Sequence, residues 1–294
     1  DEIATVSQNA DRTPEYTIGL RAGQKAPMEE MLKVALIRSA NDAAVVIAEH
    51  VAGDEQFFAH LMSKKAFLIG AAQTRFQNAS GLPAADHYST ALDLALIGRY
   101  ALSKPYIAQT VGMIETDFEH PGYRQSLTIR NTNGLLGSYP GADGIKTGTT
   151  NAAGKCLVAS ATRQDRGLIA VALNSANRQG DCIKLLDYGF LKTTRQKILD
   201  HEESLKDIKV NNNNDILATI VPAEDLWLWV GENTANIEKN VRINYNLVAP
   251  VKQGQLVGEI DVYTEGGFVR TVALISQNDV PKQSWLGKRI FKHL

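Results

Sequence analysis

Apolar residues recur at spacings of three and four through the first two-thirds of the chain, the pattern of helices that bury one face. It predicts helices at 27–37, 41–51, 55–69 and 90–102. Residues that start or stop helices stand at the expected places: Pro27 in the first turn of the first helix, Gly53 and Gly70 after the second and third, and Pro105 beyond the fourth.

Beyond these helices, the spacing of apolar residues changes from a helical to a strand-like pattern. Two short runs at 156–161 and 168–173 are rich in apolar and β-branched residues, and the polar segment 163–167 separates them. This pattern predicts a hairpin of two buried strands, followed by a helix at about 182–191. Helices that flank an antiparallel sheet indicate an α+β domain, which we expect to span residues 1–193.

A small all-β domain is expected at 194–280. Its segment 206–215 contains four consecutive asparagines and is predicted to be polar and turn-prone. Apolar and polar residues alternate at 241–247, as in a half-buried strand. The runs 256–263 and 268–275 flank Gly266-Gly267, which predicts a hairpin.

The tail at 281–294 is predicted to form a short amphipathic helix within Ser284–Leu294. Its apolar face comprises Leu286, Ile290, Phe291 and Leu294. Its basic side comprises Lys288, Arg289, Lys292 and His293, with Trp285 among them. Such a helix can lie on a membrane surface with its cations near anionic headgroups. It can equally dock on its own β domain or fray.

Composition narrows the function classes. The 294 residues include 31 Lys and Arg against 32 Asp and Glu, so the formal net charge is −1, which argues against nucleic acid as a partner. An apolar run of about 18 residues, the length of a membrane-spanning helix, does not occur. Neither the six scattered histidines nor Cys156 and Cys182 have the spacing of a metal site, and we expect no metal and no other cofactor.

Two short motifs carry candidate chemistry. The first is Ser39-Ala40-Asn41, between the first two predicted helices, where a hydroxyl and an amide two residues apart can face one cleft. Helix capping is the alternative, since Ser and Asn commonly cap helices. The second motif is Lys146-Thr147-Gly148-Thr149, just before the predicted hairpin. Its ammonium, hydroxyl and unobstructed backbone suit a substrate carboxylate. It lacks the glycine spacing of a phosphate loop.

Together, in this order, the S-x-N and K-T-G elements resemble those of penicillin-binding proteins and β-lactamases. Gly81-Leu82 and the segment 87–95 extend the likeness. Over nearly its whole length the chain resembles the low-molecular-mass penicillin-binding proteins that act as serine-type D-alanyl-D-alanine carboxypeptidases. The resemblance implies a β-lactamase/transpeptidase-like first domain, a β-rich second domain and an amphipathic anchor. It further implies peptidoglycan stem peptides ending in D-Ala-D-Ala as substrate, β-lactams as ligands, and an exported, extracytoplasmic or periplasmic enzyme attached peripherally to the membrane.

The resemblance also implies roles for individual residues. Ser39 would relay a proton, and Asn41 would bind the amide portion of the peptide. Lys146 and Thr147 would bind the terminal carboxylate beside the open backbone of Gly148, and the N–H of Thr149 would contribute to the oxyanion hole. Arg178 would add a carboxylate contact or, alternatively, be a solvated loop cation.

One element departs from the family pattern. Members carry the nucleophilic Ser and its Lys in an S-x-x-K motif upstream of S-x-N, and no Ser here has a Lys three positions later. We expect an N-terminal truncation and a chain that is inactive alone. A non-catalytic peptidoglycan-binding homologue is the alternative. A β-lactamase is disfavoured, because no Glu upstream of Lys146 has an Asn four residues later.

Overall fold

The structure, a computed structural model, describes residues 2–231, 236–264 and 267–283, with only the backbone of Asn214. The chain divides into two compact units, and the division falls between Gly189 and Phe190. None of the helices in the described part of the chain is long and apolar enough to cross a membrane. The predicted tail helix within Ser284–Leu294 lies outside the described residues.

Seven described helices lie in the first unit or begin in it: α1 (Gln8–Asp11), α2 (Met28–Ile37), α3 (Asn41–Ala52), α4 (Glu55–Leu68), α5 (Ala91–Leu102), α6 (Pro105–Val111) and α7 (Arg178–Lys192). The four helices predicted before residue 103 are confirmed within one residue at each end. Gly53 closes α3 with a left-handed φ of 79°. Helix α7 begins four residues earlier than predicted. Its first turn is polar, so the spacing of apolar residues could not reveal it.

Strands β1 to β7 complete the first unit: β1 (Ile3–Thr5), β2 (Lys25–Pro27), β3 (Glu115–Phe118), β4 (Leu127–Arg130), β5 (Ala142–Thr150), β6 (Gly154–Arg163) and β7 (Arg166–Ala172). The predicted hairpin is β6–β7, and it belongs to a three-stranded antiparallel sheet in the order β5-β6-β7. Among the described strands, β5 therefore has one unpaired edge. That edge carries Lys146, Thr147 and Gly148.

The core beneath α2 and α3 fixes the turn between them. Met31, Val34 and Ile37 of α2 are fully buried, and so is Ala43 of α3. Burying an apolar side chain of this size contributes about 1.5–3 kcal/mol. The facing apolar stripes thus hold the two helices together on either side of residues 38–40.

The second unit is formed by β strands: β8 (Thr193–Leu199), β9 (Lys206–Val210), β10 (Asn213–Pro222), β11 (Leu226–Gly231), β12 (Glu238–Ile243), β13 (Leu256–Thr264) and β14 (Gly267–Ser276). Five form an antiparallel sheet in the order β12-β13-β14-β10-β9, and β8 pairs with β11. The predicted β13–β14 hairpin is confirmed. Ile220, Ile260 and Leu274 lie at the centre of its apolar core.

Two predictions for this unit are wrong in part. The segment 206–215 is not all turn, because Lys206–Val210 is strand β9, with Ile208 and Val210 buried. The strand predicted at 241–247 runs instead from Glu238 to Ile243. Val241 is exposed in this strand, and Leu247 is buried only beyond its end. The alternating residues therefore belong partly to the strand and partly to the segment that follows it.

Candidate active site

The Ser39-Ala40-Asn41 motif forms the turn between α2 and α3. Ser39 has a φ of 67°, in the left-handed region that a residue with a side chain rarely adopts. Such backbone strain is commonly found at functional sites, where surrounding structure holds it. The buried helices on either side hold it here.

The alternative reading of this motif as a helix cap is wrong. Ala40 occupies the cap position of α3, and no side chain caps the helix. Asn41 instead donates from Nδ2 to the Glu15 carbonyl at 3.1 Å, and its backbone N–H donates to the Tyr16 carbonyl at 2.9 Å. Because Nδ2 is held in this way, the Oδ1 atom of Asn41 remains to accept a hydrogen bond from a ligand.

The carboxylate of Asp42, next to Asn41, binds a neighbouring loop and does not line the cleft. It is 1% exposed and accepts hydrogen bonds from the backbone N–H groups of Ile18, Gly19 and Leu20 at 3.1–3.2 Å. A buried carboxylate is stable only with such donors. Asp42 and Asn41 together fasten the loop at 15–20 against the start of α3.

The Lys-Thr-Gly element lies on β5. Lys146 is half-buried, and its ammonium donates to the Thr147 carbonyl at 3.1 Å. Burial, together with the nearby charge of Arg178, lowers the pKa of Lys146 to about 8. Within the described ranges it forms no ion pair with a carboxylate, so it is a cation without a counter-ion.

Gly148 leaves the site open. A Cβ atom built at this position would meet nothing within 4 Å, and its φ is not positive, so neither space nor backbone conformation requires glycine there. The side chain would project into open space beside Lys146 and Thr147. This glycine therefore matters for access to the strand rather than for its folding.

Arg178 opens α7 and reaches back to the same strand. Its Nη1 donates to the Gly148 carbonyl and to Thr149 Oγ1, both at 2.9 Å, and to the Cys156 carbonyl at 3.1 Å. The alternative of a solvated loop cation is wrong. The guanidinium adds a second positive charge beside Lys146.

One cleft of about 320 Å³ in the first unit brings the two motifs together. All seven predicted site residues line it: Ser39, Asn41, Lys146, Thr147, Gly148, Thr149 and Arg178. Other residues of its wall were not predicted from the sequence, among them Glu15, Tyr16, Arg38, Ser80 and Thr132. Glu15 and Tyr16 have left-handed φ values of 54° and 42°, and Thr132 stands between two asparagines. Neither feature lies at a fixed distance in sequence from the two motifs, so the sequence carried no signal for these residues.

Three other features of the described residues are weaker candidates for a functional site. A larger hollow of about 910 Å³ lies over β12–β14, but its Arg242 is already paired with Glu259 and Asp261. Asp200, His201 and Asp225 come within reach of one another, yet Lys197 pairs with both aspartates. Burial raises the pKa of the Cys182 thiol to about 11, which makes it unreactive.

A serine-asparagine turn facing a Lys-Thr-Gly edge strand, on helices packed with an antiparallel sheet, defines the class of the penicillin-recognising, transpeptidase-like proteins. Comparison with known proteins identifies the family. Residues 1–177 match the model of the D-alanyl-D-alanine carboxypeptidase family, and residues 194–282 match that of the C-terminal domain of penicillin-binding protein 5. The chain belongs to this family of low-molecular-mass penicillin-binding proteins.

Individual relatives and solved structures support the same family assignment. The D-alanyl-D-alanine carboxypeptidase DacF of Bacillus subtilis is 29% identical, over 97% of this chain and 74% of that protein. DacC of Escherichia coli is 32% identical, over 92% and 68%. The structure of penicillin binding protein 5 from Haemophilus influenzae has a TM-score of 0.73 at 25% identity, covering 95% of this chain and 83% of that one. Penicillin-Binding Protein D2 from Listeria monocytogenes, solved in its ampicillin-bound form, has a TM-score of 0.56 at 28% identity, covering 65% and 77%. The α+β first domain and the β-rich second domain expected from the sequence are thus confirmed.

Proposed function

We propose that this chain binds the D-Ala-D-Ala end of peptidoglycan stem peptides, and that its cleft is the S-x-N and K-T-G half of a serine-type D-Ala-D-Ala carboxypeptidase site. The observation that carries the proposal is Lys146, a half-buried ammonium that pairs with no carboxylate of the described residues and shares one cleft with Ser39 and Asn41. A cation kept in such a place at a cost in desolvation suits an anionic ligand.

The terminal carboxylate of the peptide would meet the ammonium of Lys146 and the hydroxyl of Thr147. Arg178 strengthens the positive field, since its guanidinium lies against Gly148 and Thr149. An extended peptide can then pair with the open edge of β5 through backbone hydrogen bonds. The absent side chain of Gly148 leaves room for that approach.

In a complete site of this kind, the serine hydroxyl of S-x-x-K attacks the carbonyl between the two D-alanines, and its proton passes to the lysine of that motif. The hydroxyl of Ser39 relays the proton to the leaving amine, D-alanine departs, and water hydrolyses the acyl-enzyme. Asn41 Oδ1 accepts from the peptide amide. The N–H of Thr149 stabilises the oxyanion together with the N–H of the nucleophile.

None of the serines among the 294 residues belongs to an S-x-x-K motif. We therefore propose that the chain by itself binds such peptides and β-lactams without being acylated. A non-catalytic peptidoglycan-binding homologue is the second candidate, and the same missing motif is the observation that favours it.

Two measurements test the function. Calorimetry or NMR titration should show that an N-acetylated tripeptide ending in D-Ala-D-Ala binds more tightly than its C-terminal amide and its L-Ala-L-Ala counterpart. Equal affinities for all three would refute the proposal. Fluorescent penicillin should form no covalent adduct with the 294-residue chain.

A fusion separates the two candidates. An S-x-x-K segment of the family, joined ahead of Asp1, should restore penicillin labelling if the cleft is half of a catalytic site. The matched control replaces the serine of that segment by alanine and should abolish labelling. A folded fusion that binds the peptide but is never labelled would favour the non-catalytic homologue.

We propose that residues 1–193 form the domain that contains the cleft and that residues 194–280 form a β-rich domain. Residues 281–294 would contact the membrane surface, and the protein would be exported. The basic and apolar residues of Ser284–Leu294 support this assignment. Deleting them should release the protein from vesicles that contain anionic lipid, whereas neutral vesicles serve as the control. Unchanged binding to the anionic vesicles would exclude this anchor.

A further inference from the structure

The hydroxyl oxygens of Thr132 and Thr147 lie 2.6 Å apart, and either can be the donor. Both threonines line the cleft. We propose that Thr132 is a positioning residue, which donates to Thr147 and so turns the Thr147 hydroxyl proton toward the carboxylate of the ligand. The inference rests on the proposed function, because it assigns the carboxylate contact to Thr147.

The direction of this hydrogen bond decides what Thr147 can offer. A threonine hydroxyl has one proton to donate and lone pairs with which to accept. If Thr147 donates to Thr132, an incoming carboxylate meets only a lone pair and is repelled. If Thr132 donates instead, the Thr147 proton is available to the anion. Hydrogen bonds in such a chain polarise and strengthen one another in a site of low dielectric constant.

The neighbours of Thr132 hold it rigidly. Asn131 donates from Nδ2 to the carbonyls of Val111 and Met113 at 3.2 and 3.0 Å. Asn133 is 3% exposed and donates to the Gly144 carbonyl at 2.7 Å, two residues before Lys146. The first asparagine thus fastens the segment behind α6, and the second fastens it to β5.

Thr132 also reaches the other side of the cleft. Its backbone N–H donates at 3.2 Å to the carbonyl of Ile37, the last residue of α2 and two residues before Ser39. The segment 131–133 therefore bridges the serine-asparagine turn and the Lys-Thr-Gly strand. A hydroxyl carried by that bridge is set in place before any ligand arrives.

A double-mutant cycle tests the inference in the intact chain. The variants are Thr132→Val, which removes the hydroxyl and keeps the shape, Thr147→Val and the double variant, with Thr132→Ser as the conservative control. The readout is the affinity for the D-Ala-D-Ala tripeptide relative to its C-terminal amide. Thermal melting and amide NMR spectra check that each variant is folded.

We expect Thr132→Val to weaken binding of the carboxylate peptide by roughly 2- to 10-fold, the effect of one hydrogen bond, and to leave binding of the amide unchanged. Thr132→Ser should retain the affinity. In the Thr147→Val background, Thr132→Val should cause no further loss, because it acts through Thr147.

The possible failures are distinguishable. A wild-type chain that does not prefer the carboxylate peptide to the amide overturns the proposed function, and the inference with it. A wild type with that preference and a Thr132→Val variant with the same preference overturns the inference alone. Additive losses in the double variant also overturn it, since they show that Thr132 contacts the ligand directly.

Discussion

Lys146 and Lys197 are two lysines in opposite electrostatic situations. Lys146, in the cleft, is half-buried beside a second cation, and desolvation lowers its pKa to about 8. Lys197, in the second unit, lies 3.0 Å from both Asp200 and Asp225, and the hydrogen bonds to these carboxylates raise its pKa. A lysine whose charge is balanced within the protein has a structural role, whereas one whose charge is unbalanced and partly desolvated is available to an anionic ligand.

The largest expected effect follows from removing the unbalanced cation. Lys146→Met should weaken binding of the D-Ala-D-Ala tripeptide by roughly 30-fold or more, the effect of losing one partner of a desolvated charge pair. The same change should stabilise the fold at pH 7 on the order of 1–3 kcal/mol, because each unit of pKa shift corresponds to about 1.4 kcal/mol. Calorimetry and urea unfolding measure the two effects.

The stability gain has a definite pH dependence. The folded-state pKa of Lys146 lies below its ordinary value of 10.5, so between about 8 and 10.5 the unfolded chain binds more protons and stability rises with pH. The gain of the methionine variant should therefore be full below pH 8 and vanish toward pH 10.5. A variant less stable than the wild type at pH 7 would show that Lys146 has a structural role like that of Lys197.

Ligand affinity should depend on pH through the same ammonium. The peptide carboxylate stays ionised above pH 5, while Lys146 loses its proton near pH 8. We expect the affinity to fall roughly tenfold between pH 7 and pH 9, the loss in charged fraction for a pKa of 8. Titrations of the amide-capped peptide over the same range provide the control. A flat profile for the carboxylate peptide would contradict the role of Lys146.

A smaller effect is expected when access to Lys146 is narrowed and its charge is kept. Gly148→Ala adds a methyl group where nothing lies within 4 Å. Stability should be unchanged or higher by about 0.4–1 kcal/mol, because alanine lowers the entropy of the unfolded chain. Affinity for the peptide should nevertheless fall several-fold. Gly167, also on a strand of this sheet with its nearest neighbour at 3.5 Å, offers a matched glycine-to-alanine control away from the cleft. Loss of stability in Gly148→Ala alone would show that this glycine serves the fold.

The two lysines also illustrate which features of the fold and of the site could be predicted from the sequence. The three- and four-residue spacing of apolar residues predicted α2 to α5, because each of these helices buries one face locally. The S-x-N and K-T-G motifs, together with the family resemblance for Arg178, located seven of the residues that line the cleft. The sequence could not show that Lys146 pairs with no carboxylate in the part of the chain that the structure describes, or that Lys197 pairs with two. Both facts depend on contacts between residues far apart in the chain, such as that between Lys197 and Asp225.

Thr132 and Asp42 illustrate the same limit. Asp42 adjoins Asn41 in the sequence, but its function is to bind the backbone of 18–20, which only the fold brings near. Thr132 contacts Thr147 because Asn131 and Asn133 fasten their segment to two different elements. Residue type and spacing identified the groups with chemistry of their own, whereas the groups that orient them became visible only in the structure.

The smallest effect should come from the balanced lysine. Lys197→Met leaves Asp200, Asp225 and His201 together, and the pKa of His201 is already raised by its 2.7 Å contact with Asp225. Removing the competing ammonium should raise that pKa further, since the aspartates then act on the imidazole alone. NMR titration should show His201 titrating above 6.5 in the wild type and higher still in the variant, whereas His87, whose pKa burial lowers, titrates below 6.5 in both. Peptide affinity should not change. If Lys197→Met weakened binding as much as Lys146→Met, the distinction between a structural cation and a ligand-binding one would fail.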